Sequence, residues 1–105
     1  MGSKKNEIIC PVNKALTIIS GKWRLRIIYE IGNNKKRFGE LKRLIPEISE
    51  KMLIQELKSL KTHKVVNRKA YPEIPPKVEY SLSKFGKNIL PIIQEIEKFG
   101  ETIIP

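Results

Sequence analysis

The sequence predicts a mainly α-helical chain with one small β-hairpin, an α+β arrangement in a single domain over residues 8–105. Three observations carry this reading. Apolar residues recur at helical spacing along most of the chain. Two short runs with strand character, 65–71 and 77–82, flank the turn-rich Pro72-Glu73-Ile74-Pro75-Pro76. At 105 residues, with no linker, repeat or low-complexity stretch, the chain has the size of one core and not of two.

The elements follow in order. Val12, Ala15, Leu16 and Ile19 recur at i, i+3, i+4 and i+7, which predicts a helix over 13–20 with Pro11 at its start and Gly21 after its end. A second helix over 23–31 stops at Gly32-Asn33-Asn34, strong turn chemistry. Residues 36–38 read as a short extended piece, and a third helix over 39–44 buries Leu41 and Leu44 before Pro46. Ser49 has the hydroxyl of an N-cap for a fourth helix over 50–61. In the second strand Val78, Tyr80 and Leu82 alternate with Lys77, Glu79 and Ser81, the pattern of a half-buried strand. Ser83 caps a final helix over 83–104, whose Phe85, Ile89, Ile92, Ile93, Ile96 and Phe99 form one broad stripe that Pro91 should kink or interrupt. Residues 1–7 are expected to be a flexible N-terminal segment.

A helix-turn-helix over 39–62 followed by a wing hairpin over 65–82 is the winged helix-turn-helix plan. The charge is distributed to match. The formal net charge is +10, and residues 22–69 alone hold 14 basic against five acidic residues, a net +9. The C-terminal third, 70–105, is close to neutral. A positive field segregated in this way points to a polyanion. One cysteine excludes an internal disulfide, and one histidine leaves no four-ligand protein zinc site, so no metal or other cofactor is expected. No apolar run nears the roughly 20 residues that cross a bilayer, and the basic start lacks a secretory signal's apolar stretch. A cytoplasmic protein without a membrane partner is therefore expected. Without a glycine-rich phosphate loop, a metal cluster or a nucleophile motif, no catalytic residue is assigned and an enzyme is not expected.

On the fourth helix Leu53, Leu57 and Leu60 fall within an arc of about 60° that faces the core. The opposite side offers Lys51, Gln55, Lys58 and Thr62, with Ile54 at the margin. A helix entering the major groove needs this division. Lysine reaches guanine or phosphate, glutamine pairs with adenine, and isoleucine touches a thymine methyl. The bland alternative is that any exposed helix face is rich in lysine and glutamine. The expected DNA contacts are Ser49, Glu50, Lys51, Ile54, Gln55 and Lys58, joined by Arg37 and Lys42 from the preceding elements. Arg68, Lys69 and Lys77 of the hairpin add phosphate or minor-groove contacts.

Several motifs stand in order along the chain: Cys10-Pro11-Val12, Gly21-Lys22-Trp23, Arg37-Phe38-Gly39-Glu40-Leu41, Ile45-Pro46-Glu47-Ile48-Ser49, Lys51-Met52-Leu53 and the hairpin from Tyr71-Pro72-Glu73 to Tyr80-Ser81-Leu82. Together they closely resemble the HxlR family of prokaryotic winged-helix transcription regulators. The resemblance implies a homodimer held by the first and last helices, each fold placing a recognition helix in the major groove of an inverted-repeat operator in double-stranded DNA. Two departures stand out. His63-Lys64 occupies the helix end where relatives commonly carry glycine, which asks a non-glycine to take the left-handed cap at about 1 kcal/mol. Glu50 is acidic where phosphate contacts are expected, and it can serve the helix dipole or accept from a cytosine amino group.

The resemblance also marks Cys10, since some relatives carry a redox or electrophile sensor there, answering a small reactive effector. A thiol at a helix N-terminus with Lys14 one turn on has a setting that favours the thiolate nucleophile, whereas the bland reading packs it as a small apolar residue. Leu16, Ile92, Ile96, Phe99 and Ile103 are the expected dimer contacts, against the alternative that the last helix only closes the monomer core. Two rival functions remain. One is a basic RNA-binding or ribosome-associated module, which needs exposed aromatic platforms where Trp23, Phe38, Phe85 and Phe99 fall on apolar faces. The other is a winged helix used only for protein contacts, which leaves the local +9 unexplained.

Overall fold

The computed structural model describes residues 10–104, so the flexible segment expected over residues 1–7 lies outside them. Within that span the order is α1 (Pro11–Ile19), α2 (Arg24–Ile31), α3 (Phe38–Leu44), α4 (Glu50–Thr62), β1 (Val66–Tyr71), β2 (Lys77–Leu82), α5 (Lys84–Lys87) and α6 (Leu90–Glu101). The strands pair antiparallel with Val66 opposite Leu82 and Tyr71 opposite Lys77. The core is built from Ile27, Ile28 and Ile31 of α2, Leu41 of α3, and Leu53, Leu57 and Leu60 of α4. Val65, Val66 and Leu82 close it at the root of the hairpin, and Ile89 and Ile93 close it from the C-terminal side.

Four expectations need correction. Leu44 is 40% exposed, because Ile45, one full turn beyond Leu41, fills the core in its place. The extended piece at 36–38 shrinks to Lys36, which exchanges two backbone hydrogen bonds with Tyr80 (2.9 and 2.8 Å), while Phe38 already begins α3. In β2 only Leu82 is buried; Val78 and Tyr80 are half-buried like their polar neighbours, since a two-stranded hairpin projects beyond the core that would cover one face. The single final helix is two helices. Ser83 Oγ accepts from Gly86 N–H at 2.9 Å to start α5, the helix breaks after Lys87, and Pro91 sits in the first turn of α6, where its missing N–H costs nothing.

The end of α4 shows how the glycine departure is accommodated. Lys64 takes φ +63°, the one positive φ among the described non-glycine residues. Val65 N–H donates to Leu60 O at 2.9 Å and Lys64 N–H to Lys61 O at 3.0 Å, the paired bonds of a Schellman cap. Leu60 and Val65, both fully buried, supply the apolar contact that accompanies such a cap. Burial of Val65 thus holds the lysine in a conformation that its own β-carbon disfavours.

The break before α6 divides the apolar stripe. Ile89 and Ile93 enter the core, whereas Phe85, Ile92, Ile96 and Phe99 face out. No residue of α1 is buried; Ile18 and Ile19 are only half-covered. The radius of gyration is 16.0 Å, against about 13 Å for a compact domain of this length.

Candidate nucleic-acid interface

Ser49 Oγ accepts from Met52 N–H at 3.1 Å and starts α4 as a side-chain cap. With Leu53, Leu57 and Leu60 buried beneath, Glu50, Lys51, Ile54, Gln55 and Lys58 are all exposed on the outer side. Thr62, expected on the same face, spends its hydroxyl on Lys58 O at 3.0 Å. Lys42 is half-buried with Nζ on Pro46 O at 3.2 Å, so it braces the turn between α3 and α4. Arg37 is exposed at the start of α3, and its backbone N–H is held by Glu40 Oε1 at 2.8 Å.

Two arginines counted in the basic segment are engaged within the fold. Arg24 Nε donates to Glu56 Oε1 of α4 at 2.9 Å, Nη2 to Ser59 Oγ at 2.7 Å, and Nη1 to Ile18 O of α1 at 2.9 Å. Arg26 pairs with Glu30 at 2.9 Å and donates to Leu44 O at 2.8 Å, which ties α2 to the end of α3. These pairs also consume Glu30 and Glu56. Their carboxylates are neutralised by these arginines, and Lys51 and Lys58 of α4 stay exposed.

The hairpin separates residues that the sequence places together. Arg68 stands opposite Tyr80 on the side of the hairpin toward α4. Lys69, opposite Glu79, and Lys77, opposite Tyr71, stand on the other side. There both ammonium groups lie over the Tyr71 ring, at 4.9 Å for Lys69 and 4.8 Å for Lys77. Tyr71 Oη donates to Glu79 Oε1 at 2.9 Å, and Lys77 Nζ lies 3.6 Å from Glu79 Oε2. The hydrogen bond from Tyr71, with Lys77 and Lys35 nearby, holds the Glu79 carboxyl below its ordinary range. The same bond, with partial burial and the negative charge of Glu79, raises the Tyr71 phenol.

Sequence reasoning missed Lys61 and Tyr80. Both line an open cleft of about 360 Å³ between α4 and the hairpin, with Ile54, Leu57, Lys58 and Arg68. Lys61 follows Ile54 by seven positions and Lys58 by three, which is the helical spacing that would have revealed it. It also missed that Arg24 is structural, because its partners are 32 and 35 positions away.

Elsewhere, Leu16, Ile92, Ile96, Phe99 and Ile103 are all exposed, as is Cys10, which stands at the N-cap of α1 and is not packed beneath it. A predominantly apolar groove of about 630 Å³ runs between α1 and the α5–α6 segment. Phe85 lines this groove, and Phe99 is exposed on α6. Among the described residues no helix is long and apolar enough to cross a membrane, and no three His, Cys, Asp or Glu side chains gather as a metal site.

Comparison with known proteins places this geometry. Residues 18–105 match the model of the HxlR-like helix-turn-helix family. The chain is 42% identical over 92 residues to the HTH-type transcriptional regulator YdeP of Bacillus subtilis, covering 88% of this chain and 72% of that protein. It is 46% identical over 91 residues to YdzF of the same organism, covering 86% and 84%. Among solved structures, a transcriptional regulator of the MarR family from Porphyromonas gingivalis superposes with a TM-score of 0.89 at 52% identity, covering 96% of this chain and 99% of that one. The redox regulator HypR in its oxidized form gives 0.86 at 40% identity, covering 91% and 99%.

Proposed function

Because the chain belongs to the HxlR-like helix-turn-helix family and is a DNA-binding transcriptional regulator, we propose that it reads an inverted-repeat operator as a homodimer, with α4 in the major groove. The observation that carries this reading is the outer face of α4. Lys51, Ile54, Gln55 and Lys58 are exposed together above three buried leucines, beside a basic hairpin. Lys51, Gln55 and Ile54 have the chemistry to choose bases. Arg37, Lys58, Arg68, Lys69 and Lys77 have the chemistry to hold phosphates.

The dimer reading rests on the exposed apolar surfaces of α1 and α6. A two-fold pair would set its recognition helices about 34 Å apart, one turn of duplex. Cys10 supports a response to oxidants or electrophiles. It is exposed, it stands at a helix start, and relatives of this fold include one described as a redox regulator. Cysteine oxidation at α1, which borders the proposed interface, would then alter the spacing of the two α4 helices.

Selection of duplexes from a random pool, followed by competition with structured RNA in a salt titration, tests the reading. An enriched palindromic site that resists RNA competition is the expected result. Retention by structured RNA at equal salt would support the rival RNA-binding module. Replacing Gln55 by Ala should relax preference at one base position, by about 1–3 kcal/mol. Cys10→Ser should abolish the change in DNA affinity that diamide produces in the unmodified protein.

A further inference from the structure

Three cations converge on one cleft. Lys58 and Lys61 of α4 and Arg68 of β1 line the opening between the recognition helix and the hairpin, with Ile54 and Leu57 on the helix side and Tyr80 on the strand side. None of the three cations has a carboxylate within ion-pairing distance among the described residues. Two other cations of the basic segment are spent within the fold: Arg24 on Glu56 and Arg26 on Glu30. Tyr80 is half-buried, and its hydroxyl has no hydrogen-bond partner among the described residues. The cleft therefore combines three unneutralised cations with an unspent phenol, a donor-rich surface with no acceptor side chain opposing it.

We propose that this cleft holds one backbone phosphate of the DNA strand that borders the major groove, gripped jointly by Lys61 and Arg68 with Lys58 at the outer edge. The proposal rests on the reading of α4 as the recognition helix and adds to it a defined phosphate site and two residues, Lys61 and Tyr80. The geometry favours a strand phosphate for a simple reason. Ile54 lies both on the base-facing side of α4 and at the rim of the cleft, so a strand whose bases meet Ile54 and Gln55 passes over Lys58 and Lys61. Arg68 meets that strand from the hairpin. Lys69 and Lys77 stand on the reverse side of the hairpin, away from the cleft. The hairpin thus offers two separate phosphate contacts, one on each side, and only the inner one is shared with the recognition helix.

The test uses the full chain and a duplex that it selects from a random pool. Affinity is measured from 50 to 200 mM salt for the unmodified protein, Lys61→Gln, Arg68→Gln, the double variant, Arg68→Lys and Tyr80→Phe, each checked for an unchanged melting profile. Each neutralised phosphate contributes about 0.9 to the slope of log K against log salt. If Lys61 and Arg68 share one phosphate, the double variant should flatten the slope by about 0.9, the two single variants by parts of that amount, and Arg68→Lys should keep most of it. The base preference recovered by selection should not change in any of them.

A duplex carrying a neutral methylphosphonate at each position in turn gives the second readout. One position should weaken the unmodified protein and have no further effect on the double variant. If Lys61→Gln leaves slope and affinity unchanged while Gln55→Ala still alters base preference, the cleft proposal is overturned and the reading of α4 stands. Slope losses of about 0.9 for each single variant, adding fully, would overturn the shared site. If the unmodified protein selects no duplex, both fall together.

Discussion

Arg24 Nε and Glu56 Oε1 meet at 2.9 Å, and the same guanidinium also reaches the carbonyl oxygen of Ile18, so α1 and α4 are joined through one side chain. Both members of the pair are about one-fifth exposed, at 17% and 20%, which leaves solvent screening only part of the interaction. Arg24→Ala would strand Glu56, Ser59 and the end of α1 at once. The expected loss is about 1–3 kcal/mol in urea unfolding, with Arg24→Lys recovering only a fraction because an ammonium cannot span these acceptors. A change within a few tenths of a kcal/mol would show that the fork contributes nothing net.

Lys64 stands at φ +63° where a β-carbon is disfavoured. Lys64→Gly should raise stability by about 0.5–1 kcal/mol, the relieved left-handed strain exceeding the added entropy of the unfolded chain. Thermal unfolding reads this directly, and a lowered midpoint would refute it.

Gly86 represents the opposite case. A β-carbon added there would run into the carbonyl oxygen of Val65, and that carbonyl is already fixed by Ser83 N–H at 2.9 Å. Because the obstacle is backbone and not a flexible side chain, Gly86→Ala should cost about 3 kcal/mol or more, seen as a reduced urea midpoint.

The Tyr71–Glu79 pair makes the outer side of the hairpin sensitive to pH at both extremes. The Glu79 carboxyl is lowered, so its contribution is present above the unfolded glutamate range and is lost as pH falls through the lowered native value. The Tyr71 phenol is raised, so its contribution is present below the unfolded phenol range and is lost as pH rises through the raised native value. Difference absorbance between the unmodified protein and Tyr71→Phe should show Tyr71 ionising above 10.0, and Glu79→Gln should bring it back toward that value. Ionisation at the ordinary value in the unmodified protein would rule out the pair in solution.

Ile96 and Phe99 are 45% and 68% exposed, so charge at these positions leaves the monomer core intact. Ile96→Glu and Phe99→Glu should give a folded monomer by sedimentation at micromolar concentration, where the proposed dimer predicts that the unmodified chain sediments at twice the monomer mass. A monomer in both cases would remove the dimer from the proposed mechanism.

Much of this was legible where the interactions are local. The leucine arc of α4 and its Ser49 cap follow from spacing along a few turns, and the structure shows them as expected. The left-handed strain at the end of α4 was legible too, since the missing glycine falls where the helix has to stop. What stayed hidden depends on distant partners. Nothing near Arg24 announces Glu56, and nothing near Arg68 says that it faces α4 while Lys69 faces away until the strand register is known. Leu44 was misplaced because a helix of two turns leaves its final residue free to yield the core to the next one, Ile45.

The paired bonds between Lys36 and Tyr80 bear on how the hairpin meets a duplex. They clamp its base to the segment ahead of α3, while the tip at 72–76 carries a single described backbone bond, Glu73 N–H to Tyr71 O. The hairpin is therefore a cantilever, fixed at one end and unsupported at the other. In the proposed complex such a beam would let its free end follow the local curvature of a duplex while the fixed end held α4 against the bases.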